Sequence, residues 1–279
     1  MNVRLITDST ADLIDEVKSN VYTVPLTVHF GMEAYVDGVT ITHKMFYEKL
    51  IETDELPHTS QATPEAFAEA FRAAEAASEA AVVLTVASKL SGTYQSAMIA
   101  AAEYENVYVV DSGTVAIGTG VLAELALRLI RQGLSAPEIA ARLEEEKKKV
   151  HVVALLDTLE YLKRGGRISK AVAFAGGLLN IKPVVSVVNG EIKMLGKARG
   201  SKQGNNLLVS EIEKAGGVDF DKPVLLGYTG LTDVLLQKYI EDSKQLWVPH
   251  KNVLNTTAVG SVIGTHAGPG AIAVAFFEV

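Results

Sequence analysis

Residues 82–86, Val-Val-Leu-Thr-Val, constrain this chain more than any other stretch. The run is apolar and β-branched. It lacks the polar alternation of a half-exposed strand, so it reads as a strand buried within a sheet. It ends in Ser88-Lys89-Leu90-Ser91-Gly92, and a small-residue helical pattern follows from Thr93 to about residue 104. A buried strand that feeds a turn and then a helix is the building unit of an α/β sheet. The hydroxyl-rich turn also makes a ready anion site. The free N–H groups of the first helical turn, the helix dipole and the hydroxyls all point one way. Read locally, Ser91 is the N-cap of that helix.

The same alternation recurs along the first half. Residues 3–6 form a short apolar strand that ends in Thr7-Asp8-Ser9-Thr10, followed by a helical pattern over residues 11–18. Asp8 and Ser9 either cap that helix or stand at the carboxyl end of a parallel strand, where α/β proteins place ligands. Residues 21–30 read as one strand, residues 36–39 as a turn, and Thr42 as the cap of a helix over residues 44–51. Residues 57–64, Pro-His-Thr-Ser-Gln-Ala-Thr-Pro, read as a hydroxyl-rich loop, with Thr63 and Pro64 opening a helix to about residue 77. An N-cap followed by proline at the first helical position is a strong start signal. Thr59 and Ser60 are left with no capping duty. A strand at residues 107–110 ends in Asp111-Ser112-Gly113-Thr114, and two helical patterns follow, over residues 115–132 and from Ser135 to Lys149. Alternating strands and helices predict a mainly parallel sheet through about residue 156.

The second half has another texture. Tyr161-Leu162-Lys163-Arg164-Gly165-Gly166-Arg167-Ile168 is a basic, glycine-broken turn, and Ser169 would cap an apolar helix after it. Residues 183–188 and 191–195 flank Asn189-Gly190, the signal of a two-residue type I′ hairpin. Helical patterns cover residues 202–214 and 233–242, and strands residues 224–228 and 271–277. The expected class is therefore α/β. An N-terminal domain, residues 1–157, carries a mainly parallel sheet flanked by helices. A C-terminal mixed α+β domain, residues 158–279, carries an antiparallel hairpin.

Composition removes several functions. A formal net charge of −7 argues against nucleic acid as a partner and gains little from an anionic membrane surface. The absence of cysteine excludes disulfides, thiol nucleophiles and thiolate metal sites. The six histidines show no ligand spacing, so no metal is expected. No apolar run reaches the roughly 18 residues of a spanning helix, and residues 1–10 carry no secretory pattern. The expectation is a soluble cytoplasmic protein without stable membrane insertion.

The hydroxyl-bearing turns gain weight beside Gly264-Thr265-His266-Ala267-Gly268-Pro269-Gly270, a glycine-rich turn before an apolar strand. Its imidazole could donate to an anion or merely brace backbone. These segments, with Ile6-Thr7-Asp8-Ser9-Thr10, Thr59-Ser60-Gln61, Ser91-Gly92-Thr93-Tyr94-Gln95-Ser96-Ala97 and residues 161–168, occur in one order across almost the whole chain. In that set and order the sequence resembles the DegV family of bacterial fatty-acid-binding proteins. The resemblance implies a two-domain α/β protein holding one long-chain fatty acid, such as palmitate or oleate, at the domain interface, with no cofactor. It implies that hydroxyls of Thr59 and Ser91 hold the carboxylate with His266 close by. Ser60, Gly92 and Thr93 are neighbours that add donors. Ala62 stands where the family often has proline, which alters loop stiffness more than the donors. Some members hand the acid to a fatty-acid kinase. For that role Arg199, with Lys197 and Lys202, is the candidate partner or phosphate contact; on residues alone the three read as a solvated basic loop.

An apolar tunnel suits such a ligand, and the small residues at 171–179 and 259–264 are candidate walls, although core packing predicts them equally well. The rival reading is a serine hydrolase with Ser91 as nucleophile, His266 as base and Asp8 or Asp111 orienting the histidine. Against it, no G-x-S-x-G elbow is present. A nucleotide or phosphoryl binder is disfavoured by the lack of a P-loop pattern.

Overall fold

The buried run at residues 82–86 lies at the heart of the first of three sheets in a computed structural model that describes residues 2–53, 55–169 and 181–279. The chain opens with β1 (Val3–Asp8), a short α1 (Asp15–Lys18) and β2 (Tyr22–Val24). It continues through β3 (Thr27–Phe30), β4 (Glu33–Val36), α2 (His43–Glu52), β5 (His58–Ser60) and α3 (Pro64–Ala76). Then come β6 (Ala80–Thr85), α4 (Thr93–Ala101), β7 (Val107–Asp111), α5 (Ile117–Arg131) and α6 (Ala136–Glu146). The first sheet has the order β2-β1-β6-β7 and is parallel throughout. Every residue of β6 is buried. Val82 and Leu84 face α5 and α6, while Ala81 and Val83 face the core beneath α3 and α4. The alternation of side chains across the strand puts both sets to use at once.

The second sheet is built from β8 (Val150–Leu155), β9 (Ile181–Val188), β10 (Glu191–Arg199), β11 (Val224–Tyr228), β12 (Leu254–Ala258) and β13 (Ile272–Phe277). Between them run α7 (Glu160–Arg164), α8 (Gly200–Lys214), α9 (Val234–Asp242), α10 (Lys244–Trp247) and α11 (Ser261–Ala267). Its order is β10-β9-β8-β13-β11-β12, antiparallel except for the β11–β12 pair. One face packs on Leu208, Ile212, Leu236, Tyr239 and Trp247. The other face meets α5. The core that holds Leu5 and Val82 of the first sheet also holds Val121 of α5 and Val152, Leu225 and Ala275 of the second. Helix α5 is thus a layer shared between the two sheets.

Local signals read as expected. Thr42 and Thr63 cap α2 and α3, accepting from Met45 N and Ala66 N. Asn189 and Gly190 take φ of 52° and 75°, the pair of positive values that a type I′ turn requires.

Four expectations are corrected. The strand read over residues 21–30 is two strands in different sheets, because Pro25 lacks a donor and fixes φ between them. His58–Ser60 is not loop but a short strand paired to β3, with Val28 opposite Thr59. The mainly parallel sheet does not run through residue 156. Strand β8 sits antiparallel to β13 and β9, so the change of sheet comes before Val150, ahead of the join read at 157/158. An apolar strand records that it is buried, not which partner buries it. Lastly, His266 lies in the last turn of helix α11 rather than in an open turn, and Gly268 at φ 71° ends that helix. The expected helix after Ser169 and the proposed wall at residues 171–179 lie outside the described residues.

Candidate functional site

Three segments converge beyond the carboxyl ends of β1 and β6. The first is β5, whose pairing with β3 fixes Thr59 half-buried while Ser60 is exposed. The second is the turn after β6. The buried carboxylate of Asp8 accepts from Thr10 N at 2.9 Å and from Val86 N at 2.7 Å, which fixes where β6 ends and the turn begins. The third is α11. Asp12 accepts from Gly260 N at 2.7 Å, Asp37 accepts from the Ser261 hydroxyl, and the Tyr47 hydroxyl donates to Val259 O at 3.2 Å. Burial raises the pKa of Asp8, Asp12 and Asp37; the Asp37 charge raises Asp8 and Asp12 further, and the Asp8 charge adds to Asp12. These groups place the helix that carries His266.

His266 Nε2 lies 3.0 Å from Thr59 Oγ1. Burial, with the nearby Arg167 charge, lowers the imidazole pKa to about 4, so the ring is neutral near pH 7. Its Nδ1 is buried without a hydrogen-bond partner among the described residues. Glycine at 165 is required there, since a β-carbon would collide with that Nδ1. Ser91 Oγ sits 2.9 Å from Thr93 Oγ1 and accepts from Thr93 N at 3.3 Å. The assigned cap position of α4 is Gly92, so Ser91 does the capping from one residue earlier.

These residues surround a cavity of about 410 Å³, within the range of roughly 300–1,000 Å³ for small-molecule sites. Thr59, Ser60, Gln61, Ser91, Gly92 and His266 line one part of it. Most of the rest is apolar. Leu90 and Val86 come from the turn, Leu162 from α7, Val262 and Ile263 from α11, and Val185 and Ile192 from the hairpin. Its floor is a row across the second sheet. Gly227 lies opposite Ala273, Ala273 opposite Ala154, and Ala154 opposite Val185. Small side chains on this face leave room that larger ones would fill. A second, open depression outside the cavity shares Thr59, Arg167 and His266 with it and is also lined by His58, Tyr161 and Arg164.

Of the residues singled out in sequence, Thr59, Ser60, Ser91, Gly92 and His266 meet at this cavity. The Ser60 hydroxyl is engaged elsewhere, 2.9 Å from His29 Nε2. Thr93 is fully buried and acts on Ser91 rather than on the cavity wall. Arg199 is exposed at the end of β10, where its backbone N donates to Gln203 Oε1, and it does not line the cavity. Of residues 259–264, Val259, Val262 and Ile263 are wall.

Sequence reading missed Gln61, Arg167, Asp12 and Asp37. Gln61 joins two of the segments: its Nε2 donates to Ser96 Oγ at 2.9 Å, and it packs where a β-carbon on Gly92 would stand. Its place beside Thr59-Ser60 was the available signal. Asp12 and Gly260 are 248 residues apart, and nothing local marks that pairing.

The hydrogen bonds of a serine triad are not those made here. Ser91 bonds Thr93, and His266 Nε2 bonds Thr59. Asp8 serves Thr10 and Val86, and Asp111 serves Ser88 N and Gly113 N. Among the described residues no cluster of three or more His, Asp or Glu could hold a metal ion, and no helix is long and apolar enough to cross a membrane.

Comparison with known proteins gives one consistent likeness. A family model described as "Uncharacterised protein, DegV family" matches residues 2–279. A DegV domain-containing protein of Caldanaerobacter subterraneus subsp. tengcongensis is 33% identical, covering 99% of this chain and 98% of its own. A DegV family protein from Thermus thermophilus, whose structure is described as showing fatty-acid binding, superposes with a TM-score of 0.88 at 32% identity over the full length of both chains. DegV of Bacillus subtilis, described as a fatty-acid-binding protein, superposes with a TM-score of 0.83 at 31% identity, also over the full length of both.

Proposed function

This chain belongs to the DegV family, and from that premise we propose that it binds one long-chain fatty acid, such as palmitate or oleate, with its carboxylate at Thr59, Ser91 and His266. The observation that carries the reading is the asymmetry of the cavity. The Thr59 and Ser91 hydroxyls and the His266 imidazole gather on one part of the wall, and most of the remainder is aliphatic, interrupted by Thr10, Arg167, Ser186, Tyr228 and Thr229. A ligand with one polar head and a long apolar tail matches that division.

The head group binds through donors. With the His266 proton on Nε2, the ring donates to Thr59 Oγ1 and leaves the Thr59 hydroxyl proton for the ligand. Ser91 stands at the start of α4, where free N–H groups and the helix dipole favour an anion. Gly92 adds backbone approach to the same corner, and Ser60 and Thr93 hold the two hydroxyl segments in place. Each buried methylene of the tail contributes about 0.8 kcal/mol, so tail burial supplies most of the affinity. The ligand lies between the N-terminal and C-terminal halves of the chain.

The protein acts as a binder and carrier. Support comes from His266, whose Nδ1 has no hydrogen-bond partner among the described residues, and from Ser91, whose hydroxyl is held by Thr93. Presentation of the carboxylate to a fatty-acid kinase belongs to the same proposal. It is supported by the outer depression, which reaches Thr59 and His266 from the surface. Arg199, exposed and cationic, is the partner contact in that scheme.

Native mass spectrometry of the purified protein tests the reading. The expected result is a co-purified acyl chain, or palmitate binding at one equivalent after delipidation. Absence of both would overturn it. Hydrolysis of short acyl esters that vanishes in Ser91→Ala would install the hydrolase instead.

A further inference from the structure

Gln61 lines the cavity two residues after Thr59, while the Ser60 hydroxyl between them turns to His29. Its Nε2 donates to Ser96 Oγ at 2.9 Å. Ser96 is buried in α4, one turn beyond Gly92, the cap position of that helix. The Gln61 amide also fills the space beside Gly92, where a β-carbon would collide with the side-chain oxygen. Gly92 has φ of −71°, a negative value open to any L-residue. Its backbone therefore does not demand glycine. The room taken by the Gln61 amide does. Gln61 and Gly92 fit together as a pair, one from the segment of Thr59 and the other from the segment of Ser91.

The consequence falls on the two hydroxyls. Thr59 stands on β5, a three-residue strand at the edge of its sheet, paired with β3 alone. Ser91 stands in the turn before α4, bonded to Thr93. Neither segment by itself fixes the distance from one hydroxyl to the other. Gln61 spans the two, joined to Thr59 through the chain and to the first turn of α4 through Ser96 and Gly92. We propose that Gln61 is a positioning residue, which sets the separation of the Thr59 and Ser91 hydroxyls and so the fit of a carboxylate between them. It acts through those two residues and owes its effect to the close approach that Gly92 allows. Hydrogen bonds weaken steeply once distance and angle are lost, so a small drift of β5 from α4 is enough to loosen the grip. This inference rests on the fatty-acid reading and adds to it the pair that holds the two hydroxyl segments in register.

Two double-mutant cycles test it, each read by calorimetric titration of delipidated protein with palmitate. In the first, Gln61→Ala is made in wild type and in Thr59→Ala/Ser91→Ala. Affinity is expected to fall about fivefold or more in wild type and by less than about twofold further where both hydroxyls are already gone. A residue that only supports the fold would weaken binding equally in both backgrounds. Equal losses therefore overturn the proposal, as does an unchanged affinity in Gln61→Ala alone. In the second cycle, Gly92→Ala displaces the amide and is expected to reproduce the loss. Gln61→Ala/Gly92→Ala should then bind within about twofold of either single variant, since the room has been vacated. Wild-type affinity in Gly92→Ala, or losses that multiply in the pair, overturns the proposal. If Gln61→Ala is too unstable to titrate, Gln61→Met, which keeps a side chain of similar length and loses the amide, takes its place in both cycles under the same criteria. Wild type that binds no palmitate overturns the fatty-acid reading itself and this inference with it.

Discussion

His266 Nε2 and Thr59 Oγ1 stand 3.0 Å apart across 207 residues of sequence. One belongs to a helix held by buried carboxylates and the other to a three-residue strand. Their contact closes one end of the cavity, between it and the outer depression. In the proposed fatty-acid reading the pair, with Ser91, holds the head group.

Removal of both hydroxyls therefore gives the first prediction. Thr59→Ala with Ser91→Ala should weaken palmitate binding tenfold or more, since a hydrogen bond to a charged group is worth about 1.5–3 kcal/mol. The melting temperature should fall as well, because Ser91→Ala takes away the partner of the buried Thr93 main-chain N–H and hydroxyl and Thr59→Ala leaves His266 Nε2 without its bond. Calorimetric titration of the delipidated double variant checks it. Wild-type affinity in a folded protein would place the head group elsewhere.

His266 should titrate far from an ordinary imidazole. Burial first, and Arg167 second, lower its pKa from 6.5 to about 4. The unfolded chain then binds a proton between those values that the folded chain refuses. The ring's contribution to stability is complete above pH 6.5 and is lost as pH falls toward about 4. Imidazole resonances followed by NMR in the delipidated protein should show that midpoint. A midpoint near 6.5 would mean that the ring is solvated and the cavity mouth open.

How much of this was legible in the sequence depends on distance along the chain. The caps at Thr42 and Thr63, the Asn189-Gly190 turn and the buried run at residues 82–86 are local statements, and each fold feature follows from a few adjacent residues. Strand β8 was legible as a strand, but its sheet is set by β13, over a hundred positions away. Pro25 was a visible break that the apolar run around it concealed. The hydroxyl segments and His266 could be picked out by type and by family likeness. Asp12 and Asp37 could not, because their partners Gly260 and Ser261 lie at the far end of the chain. Arg167 sat in a motif that looked like a basic turn, and only folding turns it toward the cavity.

The buried carboxylate at Asp12 yields a prediction of opposite sign to that of His266. Burial raises its pKa well above 3.8, and the Asp37 charge adds to this. The folded chain holds the Asp12 proton more tightly than the unfolded chain does. Its contribution is complete below pH 3.8 and is lost as pH rises through the raised folded value. Asp12→Asn keeps an oxygen for Gly260 N and removes the charge, so its stability should decline less between pH 5 and pH 8. Asp12→Ala leaves Gly260 N–H without its partner and should cost about 1–3 kcal/mol. Urea unfolding at the two pH values separates these. Identical pH slopes for wild type and Asp12→Asn would remove Asp12 as a charged, buried group.

The floor of the cavity gives the last prediction. Gly227, Ala273, Ala154 and Val185 stand side by side on four neighbouring strands. Residues on either side of this row, Val153, Leu155, Leu226 and Val274, point the other way into the core beneath α8 and α9. The row therefore borders the cavity without supporting that core, and its side-chain size sets how much tail fits. Ala154→Leu should fill part of the space while leaving the outer core intact. For the fatty-acid reading this means loss at the tail and not at the head. Each excluded methylene forfeits about 0.8 kcal/mol, or roughly fourfold in affinity. Stearate should weaken by at least that factor for every carbon displaced, and laurate, with a shorter tail, should bind as before. Competition between the two acids, read by native mass spectrometry, makes the comparison in one sample. Equal weakening of both would show that the substitution disturbed the head group. No change in either would show that the tail runs away from this row, toward Leu162 and Ile192 instead.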